Sequence, residues 1–460
     1  MTDTDQIQNN GHVVLIAPPF DGHAIPLLDL ARHLSVHFHV TYLISASKLN
    51  FIKQHGYLVE KENNKVVSTD TGIDFIGLFD HNDADFEVTH SNVNTLVRPI
   101  IERMYEPIQQ VLFSQPIKST SISLLSTKSI DQPIDMIIAD IFVYSFVRNA
   151  KERGITTQMF CPTSFAVIPA LMRVVTNGTP KSEWPDLTPS LIEAYSFADG
   201  VICNSIEEFE QQAIEDVRQQ ATLYSKVPVR FVAPLMSETS VNKDTMELTS
   251  RVKNWLNTQW ELANQTPSVI YIAFGTSASI SSAQVLQIAD ALASYPVIWA
   301  LKSKFLECLP SSFINNANSL LLDWVPQRLV LSHSAVCLFI SHGGWNSLLE
   351  CISAGKPVLV WPLFGDQITN GKCVEEEFHI GQCMKNASFV DDQRVVLSAE
   401  IKGYLQQMFD RQMEYIQNAR QMQQKFAHAE QNSSLRYFNE IVRIINDRAA
   451  ARLDRKTIEL

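Results

Sequence analysis

With 460 residues, 45% of them hydrophobic, the chain is long enough for two to three domains with a large core. Its formal net charge of −12, from 37 basic against 49 acidic side chains, argues against nucleic acid or an anionic membrane surface as partner, and no basic stripe offsets it. The polar start MTDTDQIQNNG has neither a charged n-region nor an apolar h-region. No apolar run approaches the length that spans a bilayer, so a cytoplasmic protein without membrane insertion is expected.

In chain order, His12 to Ala17 reads as a buried strand, Pro18 to His23 as a loop, and Ile25 to Leu34 as an amphipathic helix with apolar residues at 27, 28, 30, 31 and 34. His23 therefore sits at a helix start after a strand, the usual ligand edge of an α/β sheet. The helix dipole disfavours a charged imidazole there, which helps keep the ring neutral and able to take a proton near pH 7. A second strand, Met136 to Ala139, ends in Asp140. If the two strands are neighbours, Asp140 can hold one nitrogen of His23 while the other accepts a proton. Asp135 is the rival for that role; Asp140 is preferred because it follows the apolar run rather than precedes it. The structural alternatives are a neighbour of a helix cap for His23 and a strand-end cap for Asp140.

Lys61 to Asp70 and Pro116 to Gln132 read as polar, mobile loops. Phe79, Phe86, Phe142, Phe146, Phe165 and Trp184 can wall an apolar acceptor pocket or simply fill core. Ala198 to Asn204 and Val229 to Pro234 close the first half with two more strands, and Ser237 to Lys243 is the best linker segment.

The second half opens with a strand at Val269 to Phe274, followed by Gly275-Thr276 and a helix whose Ser281-x-x-Gln284 fits a capping box. Strands at Val297 to Leu301 and Leu320 to Leu322 lead into Trp324. Val336 to Ile340 is a short buried strand, broken by Ser341-His342-Gly343-Gly344 before a helix from Trp345 to Ala354. Gly355 stops that helix and Pro357 forbids its continuation. Val358 to Trp361 makes another strand, Pro362 to Asp366 a loop and Ile368 to Phe378 a helix, the rhythm of a parallel α/β sheet. Ser433 to Ile445 has one apolar helical face, at 435, 438, 441, 442 and 445. Ala449 to Leu460 reads as a frayed tail.

Seven cysteines, scattered and free of CxxC, predict reduced core thiols rather than disulfides or a zinc site. Asp-x-Asp occurs at Asp3–Asp5 and Asp83–Asp85, but in polar segments away from strand ends, so no metal site is expected. No Gly-x-Gly-x-x-Gly follows a strand, which disfavours a nicotinamide oxidoreductase.

The glycines at 343 and 344 let a ligand approach the backbone, and the N–H groups of the following helix start favour an anion such as a diphosphate. Around them stand His342, Asn346, Ser347, Glu350, Asp366 and Gln367. A sugar nucleotide needs such a set, because it presents a flat base, a diol, two phosphates and a polyhydroxy ring in sequence. Singly, each has a structural alternative: Ser347-x-x-Glu350 as a capping box, Asp366 as a cap, Trp324 as core, His342 as a satisfied strand-end histidine. Their joint occurrence at these spacings favours the ligand.

The stretch Trp324 to Gln367, WVPQRLVLSHSAVCLFISHGGWNSLLECISAGKPVLVWPLFGDQ, resembles the signature box of plant-type family 1 UDP-glycosyltransferases and equals it in length. The resemblance implies that Trp324 stacks on uracil with Val325 and Gln327 beside it, and that Glu350 binds the ribose hydroxyls. It places His342 and Ser347 on phosphate, beside the Gly344 turn, and Trp345, Asn346, Asp366 and Gln367 around the sugar, with glucose as the expected donor sugar. Val325 stands where Ala is usual and Gly343 where Cys is usual; neither change removes a hydrogen-bonding group. Thr276 is implied to meet the donor's phosphate or sugar, against the alternative of a turn residue, and Thr163, after Phe160-Cys161-Pro162, to reach the sugar. His23 and Asp140 match the family's catalytic dyad, and Phe86, Phe142, Thr163 and Trp184 would line the acceptor pocket.

The implied architecture is α/β, two facing Rossmann-like domains (the GT-B fold). Residues 1–235 would take the acceptor, 236–262 link, 263–430 take the UDP-sugar, and 431–460 return as a helix to the first domain. The implied activity is inverting transfer of glucose from UDP-glucose, as co-substrate, to a small lipophilic hydroxylated acceptor by a monomer without cofactor or metal. The alternatives are another UDP-sugar (galactose, xylose, rhamnose) or a non-catalytic UDP-sugar or lipophile binder; the presence of both His23 and Asp140 argues against the binder.

Overall fold

Strands that are buried along their whole length, such as HVVLI at His12–Ile16, suit parallel sheets covered by helices on both faces. The protein, described from a computed structural model, has two of them. Residues 11–54, 73–78, 93–114, 130, 132–143, 146–170, 172, 195–220, 227–236, 243–275, 280–385 and 394–458 are described. The chain forms two units: one of Met1–Phe86, Asn94–Ser240 and Ala429–Leu460, the other of Glu87–Val93 and Val241–His428.

In the first unit, β1 (His12–Ile16), β2 (His39–Ile44), β3 (Ile73–Gly77), β4 (Met136–Asp140), β5 (Thr156–Cys161), β6 (Gly200–Cys203) and β7 (Val229–Phe231) lie in the order β3-β2-β1-β4-β5-β6-β7. All pairs are parallel. The chain winds one way from β1 and the other way from β4, so the switch point lies between these two strands, the place where doubly wound sheets bind ligands at the carboxyl ends. Register pairs Ile16 with Ala139, which brings the residues that follow β1 to the same edge as Asp140.

In the second unit, β8 (Val269–Ala273), β9 (Val297–Ala300), β10 (Ser319–Leu322), β11 (Val336–Ser341), β12 (Val358–Val360) and β13 (Gly381–Cys383) follow the order β10-β9-β8-β11-β12-β13, again all parallel. Its switch point lies between β8 and β11, beside His342. Both sheets are of the Rossmann type, so the α/β expectation holds.

Four boundaries differ from the sequence reading. The first helix spans Asp21–Ser35 with Pro26 inside it, so the loop ends at Phe20 and His23 is the third helical residue; Gly22 and Pro26 had masked the start. Residues 243–262, assigned to a linker, form the helix Lys243–Leu262 of the second unit, with Val252 and Leu256 buried. The helix after β12 is Gln367–Lys372 and runs into a π-helical turn, Cys373–Glu377. The supposed tail is no tail: the C-terminal helix runs from Ser433 to Ile458, with Ala449 only 4% exposed.

That last helix packs Ile441 and Ile445 into the core beside β1 and β2. Polar contacts fix its register: Arg230 to Glu440 at 2.8 Å, Arg436 and Tyr437 to Glu207, and Arg452 Nε to Asp135 Oδ1 at 2.9 Å. All seven cysteines are unpaired with one another, and only Cys308 is partly exposed. No described helix is long and apolar enough to cross a membrane.

Candidate functional site

In the first unit, β1 delivers the chain to the Asp21–Ser35 helix, whose first turn holds His23; β4 ends in Asp140. His23 Nδ1 lies 2.9 Å from Asp140 Oδ2, with the histidine side chain 20% and the aspartate 0% exposed. Asp140 Oδ1 accepts the Phe142 N–H at 2.9 Å, so both carboxylate oxygens are committed and the group is aimed. A carboxylate only accepts; Nδ1 must therefore carry the proton in the neutral ring, which leaves Nε2 as the acceptor nitrogen. Phe142 stacks on the imidazole at 4.6 Å and 26°, and Phe20 meets it edge-on at 6.0 Å. Lys48 pairs with Asp21, two residues before His23, at 2.8 Å.

Asp135, the rival, belongs elsewhere. It precedes β4, accepts the His12 N–H at 2.9 Å and is gripped by Arg452. Of the aromatic candidates, Phe142 joins the histidine, whereas Phe146 and Phe165 are core. Thr163 follows β5, the strand paired with β4; its carbonyl accepts from Cys161 Sγ at 3.5 Å and Cys203 Sγ at 3.3 Å. Phe79, Phe86, Trp184, Thr276 and both Asp-x-Asp sequences lie outside the described residues.

In the second unit, the turn after β11 is built so that His342 fits between glycines. A Cβ on Gly344 would stand 2.5 Å from His342 Nε2, and one on Gly275, at φ +76°, 3.0 Å away. Burial pushes the His342 imidazole down to about 4, against the charge of Asp366 and the Ala273 carbonyl, so the ring is neutral near pH 7. Gly344 occupies the cap position of the helix Trp345–Ser353; the capping-box alternative for Ser347 fails, because Ser347 is the third helical residue.

Gln327, at the start of its own helix, gathers the next group. Its Oε1 accepts from Tyr271 Oη at 3.0 Å, and its Nε2 donates to Ser347 Oγ at 3.1 Å and to Glu350 Oε2. Burial raises the Glu350 pKa, opposed by the Gln327 hydrogen bond and by Arg328. Trp324 is half-buried and Val325 buried, as is Trp345; Asn346 is half-buried. Gln367, the first residue of the helix after β12, is buried and its Oε1 accepts the Leu363 and Phe364 N–H groups at 2.7 and 3.0 Å. Asp366 Oδ2 accepts from Asn370 at 2.9 Å.

The geometry thus gathers His342, Gly344, Ser347, Glu350, Gln327, Asp366 and Gln367 around the carboxyl edge of one sheet, and His23, Asp140 and Phe142 at that of the other. Sequence reasoning missed Phe20, Tyr271, Lys48 and Asn370. Only Asn370 left a local signal, an Asn four residues after an Asp on a helix.

The family profile described as "UDP-glucoronosyl and UDP-glucosyl transferase" matches residues 203–436. The anthocyanidin 3-O-glucosyltransferase of Vitis vinifera is 25% identical over 428 residues, 84% of this chain and 87% of that protein. The cinnamate beta-D-glucosyltransferase of Fragaria ananassa is 30% identical over 265 residues, 54% of this chain and 46% of that protein. Among solved structures, a Medicago truncatula UGT complexed with UDP-glucose superposes with a TM-score of 0.73 at 18% identity, covering 96% of this chain and 100% of that one. A Phytolacca americana UGT complexed with UDP-2fluoro-glucose and pterostilbene gives 0.72 at 19%, covering 95% and 100%. At such identities the likeness speaks for the fold.

Proposed function

Because the chain belongs to the family of UDP-glucoronosyl and UDP-glucosyl transferases, we propose that it transfers glucose from UDP-glucose to a hydroxyl of a small lipophilic aromatic acceptor, with inversion, using His23 as general base and Asp140 as its partner. The observation that carries the reading is the buried carboxylate of Asp140 held 2.9 Å from Nδ1 of a partly exposed His23. A buried charge is costly unless paired, and here the pair leaves Nε2 as the acceptor nitrogen.

The acceptor's hydroxyl proton goes to His23 Nε2 as its oxygen attacks the anomeric carbon; the bond from that carbon to the diphosphate oxygen breaks on the opposite face, and UDP leaves with the electron pair. Asp140 stabilises the imidazolium formed. The neutral His342 ring, the Ser347 hydroxyl, Thr276 and the start of the Trp345–Ser353 helix are the donors proposed for the departing diphosphate. Glu350, oriented by Gln327, suits the ribose diol; Trp324, with Val325 beside it, suits the base. Asp366 and Gln367, with Trp345 and Asn346, would meet the glucose. With Gln367 Oε1 occupied by two backbone amides, its Nε2 is the group able to donate to a sugar oxygen.

Phe142 and Phe20 place aromatic surface beside the base, which favours a planar acceptor; the name of the Vitis relative supports a phenolic one, and that of the Fragaria relative an aromatic one. We assign the acceptor to the unit of β1–β7, the donor to that of β8–β13, and the protein to a reducing cytoplasm, as a monomer that needs no metal.

The test is UDP release from UDP-glucose with a panel of phenols, flavonoids and terpenoid alcohols, in EDTA, for the wild type and His23→Ala. Turnover that persists in EDTA and falls by about 10²–10⁴-fold in the variant is expected. UDP-glucose binding with no release for any panel member would favour a binder or an acceptor outside the panel, and no binding would sink the donor assignment.

A further inference from the structure

Asn370 is 1% exposed and lies one helical turn after Asp366. Its Nδ2 donates to Gly343 O and to Asp366 Oδ2, both at 2.9 Å. These partners belong to different loops: Gly343 to the turn after β11 that carries His342, Asp366 to the loop after β12. The Gly343 carbonyl is aimed by backbone geometry, since Gly343 sits at φ +83° and a Cβ there would meet Val360 Cγ1 at 2.5 Å. Asn370 Oδ1 is buried with no donor among the described residues. Turning the amide over would set that oxygen against a carbonyl and a carboxylate, two acceptors, so chemistry fixes the orientation.

We propose that Asn370 is a positioning residue of the donor site: one amide group holds the Asp366 carboxylate in the direction that receives the sugar and ties it to the turn that presents His342. The inference rests on the UDP-sugar reading of this site. Anchoring Oδ2 through Asn370 narrows the direction of Oδ1, and loosening that anchor would weaken hydrogen bonding to the sugar hydroxyls. Because UDP lacks the sugar, the effect belongs to UDP-glucose more than to UDP.

The test measures UDP and UDP-glucose binding by calorimetry to the full chain for the wild type, Asn370→Ala, Asp366→Ala and the double variant, with Asn370→Ser, smaller but polar, in case the alanine variant does not fold. Asn370→Ala or Asn370→Ser is expected to weaken UDP-glucose about tenfold more than UDP, and to add little to that preference in the Asp366→Ala background, because coupled residues are not additive. Equal weakening for both ligands, or additive effects on the preference, would mean that Asn370 only supports the fold. A wild type that binds neither ligand overturns the donor site and the positioning role together, whereas intact wild-type binding with no change of preference overturns Asn370 alone.

Discussion

Two aspartates flank β4 and differ in what reaches them. Asp140 at the carboxyl end meets His23; Asp135 before the strand meets Arg452 and the His12 N–H. Asp140→Asn should leave the fold intact but let an amide face Nδ1, favouring the tautomer whose Nε2 carries the proton and can no longer accept one. A fall in kcat of about 10²–10⁴-fold with an unchanged melting temperature is expected from steady-state kinetics and thermal unfolding. Asp135→Asn should do the reverse, keeping kcat within about twofold while costing about 1–3 kcal/mol of stability. That Asp140 rather than Asp135 lies beside His23 was legible because, in a parallel sheet, residues that follow apolar runs share one edge. Arg452 was not, because a pairing across 317 residues leaves no periodic trace. Nor was the start of the His23 helix, where Gly22 and Pro26 read as breakers although neighbouring Ala24, Leu27 and Leu28 are packed in core.

At the level of elements, the strands read from short, bounded apolar runs fall within two residues of β1, β4, β6, β8, β9, β10, β11 and β12, whereas the run read to Pro234 overshoots β7 by three residues and β2, β3 and β13 were not read. The C-terminal helix was cut short because its apolar face thins to Ala449 after Ile441 and Ile445, while Arg452 contributes through charge. The capping box at Ser281 was half right: Ser281 accepts the Gln284 N–H at 3.1 Å, but the Gln284 side chain bonds across to Val396 instead. A buried carboxyl spans the loops after β5 and β6, with Glu210 accepting from Ser205 at 2.6 Å and Ser164 at 3.1 Å. Burial pushes its pKa up from the usual 4.5 to about 7, against those hydrogen bonds. A folded acid that holds its proton more tightly than the unfolded chain stabilises fully below the unfolded pKa and loses that contribution as pH rises. Wild-type stability should therefore fall between about pH 4.5 and 7, by on the order of 3 kcal/mol, and Glu210→Gln should flatten this slope in denaturant titrations. His12, pushed down to about 4 by burial and by His39, has the opposite sign and costs stability only as pH drops from about 6.5 toward 4.

Over the whole molecule, the first unit closes with residues from the far end of the sequence, whereas the second is nearly one stretch, Val241–His428 apart from Glu87–Val93. Every residue proposed for the donor falls within that stretch, so ligand and C-terminal helix should act on different units. In calorimetry, UDP-glucose at about 100 times its Kd should raise the unfolding free energy of the second unit by about 2.7 kcal/mol. Removing residues 433–458 strips Ile441, Ile445 and Ala449 from the first unit's core and leaves Asp135 and Arg230 without Arg452 and Glu440. Each large aliphatic lost costs about 1.5–3 kcal/mol, enough to lower that unit's transition well below the other's. The truncated chain should keep a donor-protected transition near its original temperature and lose catalysis, since His23 and Asp140 sit on the unit that melts. A truncation that shifts both transitions equally would show that the helix stabilises the two units as one.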